Sequence, residues 1–340
     1  MRYPKFINKN DRLGFIAPSF GAVIEPYSSL FKNALQKFEV MGYKTVLGPN
    51  CFADNGVGKS NTPEQCAEEI NDFFINDRCD VIMSCGGGET MCEDLSFVDF
   101  ESIAKAEPKW FIGYSDNTCL TFTLPTLCDT AAIYGPCATS FGMEPWHEAI
   151  YDAFDLLHGK KMCFCNYPKW EKDDIKTENP LAPYNATEPF DMKLYTPAGE
   201  DSVELSGRLI GGCIDVLQIL CGTKFDKAGE FADRYKNDGI VWFLENCELN
   251  PMALRRALWQ MDSCGWFKNV KGFIIGRTAV GEMFGYSCMD AVHSILDKYS
   301  VPILFDVDLG HLPPMIPIVI GSVCKIKAFD NKFELEYIDI

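Results

Sequence analysis

Lys109-Trp110-Phe111-Ile112-Gly113-Tyr114-Ser115-Asp116-Asn117-Thr118 joins a short apolar run to a polar corner. The segment after it, Thr118–Leu127, is apolar again and reads as a helix. A buried strand that turns through a polar corner into a helix is the repeating unit of a parallel α/β sheet. The same pattern recurs on both sides. Arg12–Ala17 reads as a strand followed by a Pro-Ser-Phe-Gly turn, and Cys79–Ser84 as a strand ending at Gly86-Gly87-Gly88. Tyr43–Leu47 and Ala131–Tyr134 are further short strands, the latter ending at Gly135-Pro136. Between them, an amphipathic stretch from about Pro26 to Met41 stops at Gly42, a glycine placed to end a helix. Thr62-Pro63-Glu64-Gln65 opens another helix, with Thr as N-cap and Pro at the first helical position. A helix over 145–158 closes at Gly159. Together these predict an α/β fold with a doubly wound parallel sheet.

From about Cys163 to Glu204 the texture changes. Pro168, Pro180, Pro183, Pro189 and Pro197 fall among charges with weak periodicity, so the segment reads as a connection or ordered surface loop. The α/β pattern then resumes. Gly207–Gly212 leads into a helix to about Cys221, and Gly239–Leu244 and Gly272–Gly276 are strands. Asn250-Pro251 caps a helix ending near Gly265, and 287–299 is another helix. Ile318–Ile340 alternates like paired strands about a turn at Asp330-Asn331. The expected organisation is an N-terminal domain over 1–162, a connecting loop or lid over 163–204, and a C-terminal domain over 205–340.

The chain has 340 residues and a net charge of −17, with 47% apolar residues. Such an acidic surface repels phosphate backbones and anionic lipid, which excludes nucleic acid and membrane surfaces as main partners. No stretch approaches the ~20 uncharged apolar residues of a membrane span. The opening Met1-Arg2-Tyr3-Pro4-Lys5 runs straight into polar sequence without the apolar core of a secretion signal. Sixteen cysteines are many, but they are scattered through apolar runs with no C-x-x-C, and Cys163-x-Cys165 is the sole close pair. They read as reduced, buried small hydrophobes in a cytoplasmic protein, and no pair of ligands has zinc-site spacing.

In open α/β sheets, ligands bind beyond the carboxyl ends of the strands. Gly86-Gly87-Gly88 is either a simple tight turn or a place where a backbone N–H meets a developing oxyanion. Neither G-x-G-x-x-G nor a Walker pattern is present, which removes the fingerprint of a dinucleotide-dependent oxidoreductase. Ser115 is either a helix N-cap or a nucleophile on a strand-to-helix elbow, although Gly113-x-Ser115-x-Asn117 lacks the second glycine of that motif. A serine nucleophile needs a base and an acid to orient it. His147, His158 and His293 fall on helix patterns, whereas His311 sits in the loop Asp308–Pro314 behind the strand Pro302–Phe305. Glu245, at the end of Gly239–Leu244, is the acid candidate, with a structural ion pair as its alternative. Ser…Glu…His is an order known to assemble triads.

At these residues the chain resembles the LD-carboxypeptidase family of serine peptidases. The stretches that carry the likeness are Gly14-x-x-Ala17-Pro18-Ser19, the Gly-rich turn after Ile82-Met83-Ser84, Phe111–Thr118, Tyr134-Gly135-Pro136, Gly207–Gly212, Phe243-Leu244-Glu245, Gly272–Arg277 and Gly310-His311. The resemblance implies a Rossmann-like N-terminal domain and a swivelling C-terminal β/β/α domain. It implies a triad of Ser115, Glu245 and His311, and an oxyanion hole from the N–H groups of Asp116 and Gly87. It also implies a homodimer acting on a small peptide or peptidyl-nucleotide, with no metal and no cofactor. An intact Ser-Glu-His set speaks against a non-catalytic binding protein.

Some residues depart from the family pattern. The turn carries Gly88-Glu89 where many members have Gly-Tyr-Gly, Gly211-Gly212 is followed by Cys213 instead of Asn, and His311 by Leu312. Glu245-Asn246-Cys247-Glu248, with a second Glu three residues on, is closer to the family's microcin-immunity branch. Gly88, Glu89 and Trp170 are the expected substrate contacts, Trp170 as an aromatic lid or as an anchor of the connecting loop. The expected substrate is the L,D-bond of a murein tetrapeptide or a peptidyl- or aminoacyl-adenylate conjugate.

Overall fold

The structure is a computed structural model and describes residues 1–56, 58–172 and 179–340. The chain divides into two compact units. The first comprises Met1–Lys161 with 179–184 and Pro317–Val319; the second comprises 162–172, Asn185–Ile316 and Ile320–Ile340. Residues 173–178 of the 163–204 connection lie outside the described residues.

In the first unit, strands and helices alternate: β1 (Arg12–Ile16), α1 (Tyr27–Val40), β2 (Lys44–Leu47), α2 (Pro63–Ile75), β3 (Val81–Ser84), α3 (Phe100–Lys105), β4 (Trp110–Gly113), α4 (Thr118–Cys128), β5 (Ala132–Tyr134) and α5 (Glu148–Leu157). The local signals act as read. Thr62 caps α2 by accepting from the Gln65 N–H, and Gly42 leaves α1 with φ +96°. β1 pairs in parallel with β2 on one side and β3 on the other, and β4 and β5 follow outward from β3. The chain therefore reverses its direction of winding between β1 and β3. That switch point is where such a sheet opens a crevice at its strand ends. Phe15, Phe31, Phe38, Phe73, Phe111 and Phe141 fill the core and have no solvent exposure.

The second unit holds β6 (Cys163–Cys165), β7 (Lys169–Trp170), β8 (Glu188–Pro189), β9 (Lys193–Tyr195), β10 (Ser202–Cys213), α6 (Ile214–Leu220), α7 (Ala228–Arg234), β11 (Ile240–Glu245), α8 (Pro251–Ser263), β12 (Val270–Gly276), α9 (Cys288–Leu296) and β13 (Ile303–Val307). After β14 (Ile318–Ile320) come β15 (Val323–Phe329) and β16 (Lys332–Asp339). Its eight-stranded sheet runs β6-β16-β15-β10-β11-β12-β13-β9. Only the central four, β10 to β13, are parallel; the flanking pairs are antiparallel.

Two features depart from the sequence reading. The stretch 163–204 supplies both edge strands of this sheet, β6 and β9, and the ribbon β7–β8. Its strands are two or three residues long, too short to leave a periodic signal, yet Phe164 and Tyr167 are buried. The C-terminal hairpin of β15 and β16 turns through Asp330 and Asn331, both at positive φ, as expected. β14 instead joins the first sheet, beside β5.

Ten of the sixteen cysteines are buried, in keeping with their use as small apolar side chains. Among the described residues, no helix is long and apolar enough to cross a membrane.

One buried carboxylate ties the strand ends of the first sheet together. Glu69 of α2 is 2% exposed. It accepts the Ala17 N–H at 2.8 Å and the Asn50 N–H at 2.9 Å, so it pins the segments that leave β1 and β2. Burial raises its carboxyl from 4.5 to about 7, against the pull of those two donors. Because the folded state holds this proton more tightly, the associated stability is present below pH 4.5 and is lost as pH rises through 7. The size is up to about 3 kcal/mol. We expect Glu69→Gln to cost more at pH 5 than at pH 8 in urea denaturation; equal costs at the two pH values would refute this.

Candidate active site

Three segments converge at the switch point of the first unit: Pro18-Ser19 after β1, Gly86–Gly88 after β3, and Tyr114–Asp116 after β4. Ser115 has φ +64°, a left-handed conformation that costs a non-glycine residue of order 1 kcal/mol or more. This strained corner is partly exposed, and its N–H donates to Tyr134 Oη at 3.2 Å. A side chain at Gly87 would stand 3.2 Å from Ser115 Oγ, so the Gly-rich turn runs directly past the hydroxyl. Gly87 C=O accepts from the Phe20 N–H, whereas its own N–H has no acceptor among the described residues. The Asp116 N–H lies in the first helical turn, where amides lack an intrahelical acceptor.

The side chain of Asp116 is structural. It is 2% exposed and accepts from Ser19 Oγ at 2.5 Å and from the Met91 N–H at 2.9 Å. Burial raises its pKa, and these donors oppose the shift. Gly88, at φ +146°, has no room for a side chain: a Cβ would lie 1.9 Å from Ser19 Oγ. Asn117 Nδ2 donates to Gly86 O at 2.8 Å and locks the elbow to the turn. Glu89 is exposed beside it. The sequence reading missed Ser19, Asn117 and the Asp116 carboxyl, since only tertiary contact gives them a task.

In the second unit the carboxyl ends of the parallel strands bring a carboxylate and an imidazole together. Glu245 ends β11 with 0% exposure, and His311 Nδ1 donates to its Oε2 at 3.0 Å. Burial would depress the imidazole pKa, but the Glu245 charge and the ring's hydrogen bonds to Cys247 and Glu245 outweigh it and hold it above 6.5. The loop that delivers His311 is fastened from below. Arg277, just after β12, forms a buried ion pair with Asp308 at 2.6 Å and donates to the carbonyls of Asp306, Leu312 and Pro314. Asp308 Oδ2 also accepts the Tyr167 N–H at 2.7 Å. Arg277 and Asp308 were not singled out from the sequence, although a lone arginine ending an apolar strand is a usable signal.

Trp170 lies over the Arg277 guanidinium, 5.1 Å from ring centroid to carbon, and its Nε1 donates to Pro189 O. Cys213, at the end of β10, sits in register beside Glu245. Asp215 accepts the N–H groups of Cys247 and Glu248, each at 3.0 Å, and so holds the loop after β11.

Gly310 is the tightest constraint on the imidazole–carboxylate pair. Its φ is +87°, and a Cβ would lie 2.5 Å from Glu245 Oε2. We expect Gly310→Ala to displace Glu245, to cost about 1–3 kcal/mol of stability and to lower His311-dependent activity. Unchanged denaturation and unchanged turnover would contradict that geometry.

Comparison with known proteins gives the same two halves. The LD-carboxypeptidase N-terminal domain model matches residues 13–135 and the C-terminal domain model residues 206–326. The microcin C7 self-immunity protein MccF of Escherichia coli is 26% identical over 95% of this chain and 92% of its own. A structure of MccF in complex with aspartyl sulfamoyl adenosine superposes with a TM-score of 0.80 at 23% identity, covering 99% of this chain and 98% of that one. An MccF-like protein from Bacillus anthracis superposes with a TM-score of 0.82 at 21% identity, covering 100% of both chains. With both domain models matched in order and the mixed α/β architecture shared end to end, this chain belongs to the LD-carboxypeptidase family.

Proposed function

We propose that the protein is a serine carboxypeptidase in which Ser115 is the nucleophile, His311 the general base and Glu245 the acid that orients and charges it. The observation that carries this reading is the left-handed elbow at Ser115, with the Gly87 backbone against its hydroxyl. Strain of this kind persists where the surrounding structure holds it for a task. Ser115 Oγ adds to the scissile carbonyl while His311 takes its proton. The oxyanion is met by the N–H groups of Gly87 and Asp116, and the helix behind the elbow adds its positive end. His311 then passes the proton to the leaving amine. Water, deprotonated by His311, releases the acyl group and restores Ser115.

Ser115→Ala, Glu245→Ala and His311→Ala should each lower kcat by at least about a thousandfold, and double substitutions should lose little more, because the three act as one unit. Near-normal turnover by Ser115→Ala would end this mechanism. The rise in kcat/KM should occur above pH 6.5, since Glu245 holds the His311 pKa up. Glu245→Gln removes that charge, so the rise should move to lower pH while the plateau falls. A rise that stays in place would show that Glu245 does not act on His311.

The first substrate reading is the L,D-amide of a murein tetrapeptide, on the family's account. A second, a peptidyl- or aminoacyl-adenylate conjugate, is favoured by Glu248 three residues after Glu245 and by the MccF structure bound to aspartyl sulfamoyl adenosine. Gly88 and Glu89 would border the acyl side, and Trp170 would offer the ring face turned from Arg277. A hydrolysis screen of murein tetrapeptide against aminoacyl sulfamoyl adenosine separates the two. For an adenylate substrate, Trp170→Ala should raise KM strongly and leave murein cleavage unchanged. If neither substrate responds, Trp170 only anchors the loop on Arg277.

A further inference from the structure

The sequence offers no zinc-type spacing, yet the second sheet gathers a thiol, a carboxylate and an imidazole beyond three separate strands. The ligand atoms of Cys213, Glu245 and His311 all lie within 4.8 Å of one another. Cys213 ends β10, is 2% exposed and donates to Asp215 Oδ2 at 3.4 Å. The Cys247 side chain is near enough to His311 to help raise the imidazole pKa, and its backbone N–H donates to the same Asp215. Two thiols, an imidazole and a carboxylate form the donor set of a tetrahedral zinc centre.

We propose that Cys213, Cys247, His311 and Glu245 bind a thiophilic divalent cation of the zinc class, and that the bound cation switches the base off. Neighbouring ligands of a tetrahedral zinc ion stand about 3.3–3.8 Å apart, so side-chain shifts of about 1 Å bring Cys213, Glu245 and His311 into range, while Cys247 lies outside that group and has to turn toward it. The cation displaces the thiol protons, two thiols giving two thiolates and two released protons. Because the thiol ligands must lose their protons to the solvent, protons compete with the cation for the site. The chain's charge of −17 favours the incoming cation. An imidazole nitrogen that holds the metal has no lone pair for the serine proton. This inhibitory consequence rests on the hydrolase reading above; the metal site does not.

A competing cluster must be separated in the test. Cys221, Asp226 and Cys264 also lie within 4.8 Å of one another. Its carboxylate is already engaged, Oδ2 accepting the Gly222 N–H at 2.8 Å and Trp266 Nε1 at 2.9 Å.

The experiment is calorimetric titration of the chelator-stripped, reduced full chain with Zn2+ at pH 7.5. We expect one ion bound with Kd below roughly 10 µM, and binding unchanged by Cys264→Ala. Cys213→Ala and Cys247→Ala should each weaken it by about tenfold or more. Thermal melting confirms folding of each variant; Cys247 is partly exposed and carries the test if Cys213→Ala does not fold. No binding below roughly 100 µM, or binding lost with Cys264→Ala and kept in Cys213→Ala and Cys247→Ala, overturns the proposal. Hydrolysis of whichever substrate is cut should stop at the same Zn2+ concentration and return with chelator; turnover that persists with the site filled refutes the switch. Calorimetric binding without any hydrolysis in the metal-free protein would uphold the site and reject the hydrolase reading instead.

Discussion

A carboxylate with no solvent exposure must find cationic or hydrogen-bonding partners inside the protein, and Glu245 finds one in His311. Much of the second unit arranges this meeting. Parallel strands β10 to β13 bring Cys213, Glu245, Gly276 and the His311 loop to the same sheet end. Gly276 and Gly310 leave the room, since a Cβ at either would stand within 3.0 Å of Glu245. Arg277 and Asp308 form a second buried pair that fixes the loop on both sides of His311. Breaking such a pair from one side leaves an uncompensated charge, which costs several kcal/mol. The imidazole is therefore held in one orientation, with its pKa raised by the charge beside it.

The first unit solves a complementary problem with neutral groups. Its elbow stores strain at Ser115, and the surroundings over-determine it. Asn117 grips the Gly86 carbonyl, Tyr134 receives the Ser115 amide, and Asp116 buries its carboxyl against Ser19 and Met91. In the proposed mechanism, the backbone amides of Gly87 and Asp116 face the oxyanion. Glu69 holds the segments that leave β1 and β2 toward this crevice.

Cys213 places a thiol where the resemblance to the family implies an Asn. The thiol stands beside a carboxylate and an imidazole, with ligand atoms within 4.8 Å of one another. Cysteine used elsewhere in this chain as a small apolar filler acquires a different character here because two carboxylates and an imidazole surround it.

The sequence by itself determined the alternation of strands and helices, the caps at Thr62 and Gly42, and the C-terminal hairpin. These depend on local chemistry: apolar runs, N-cap hydroxyls, and glycine or Asx residues at positive φ. It also brought forward Ser115, Glu245 and His311, because each follows an apolar strand. Tertiary structure decided the rest. Only strand order could put β14 beside β5, or assign β6 and β9 to the sheet edges, since two- and three-residue strands leave no period to read. Only the folded sheet could draw Cys213, Glu245 and His311 within 4.8 Å. Gly310 and Arg277 stood in stretches the sequence already marked, but that they hold the pair, together with Asp308, was not legible there. Their effect comes from proximity between segments far apart in the chain, and a linear pattern carries no information about which buried charges will meet.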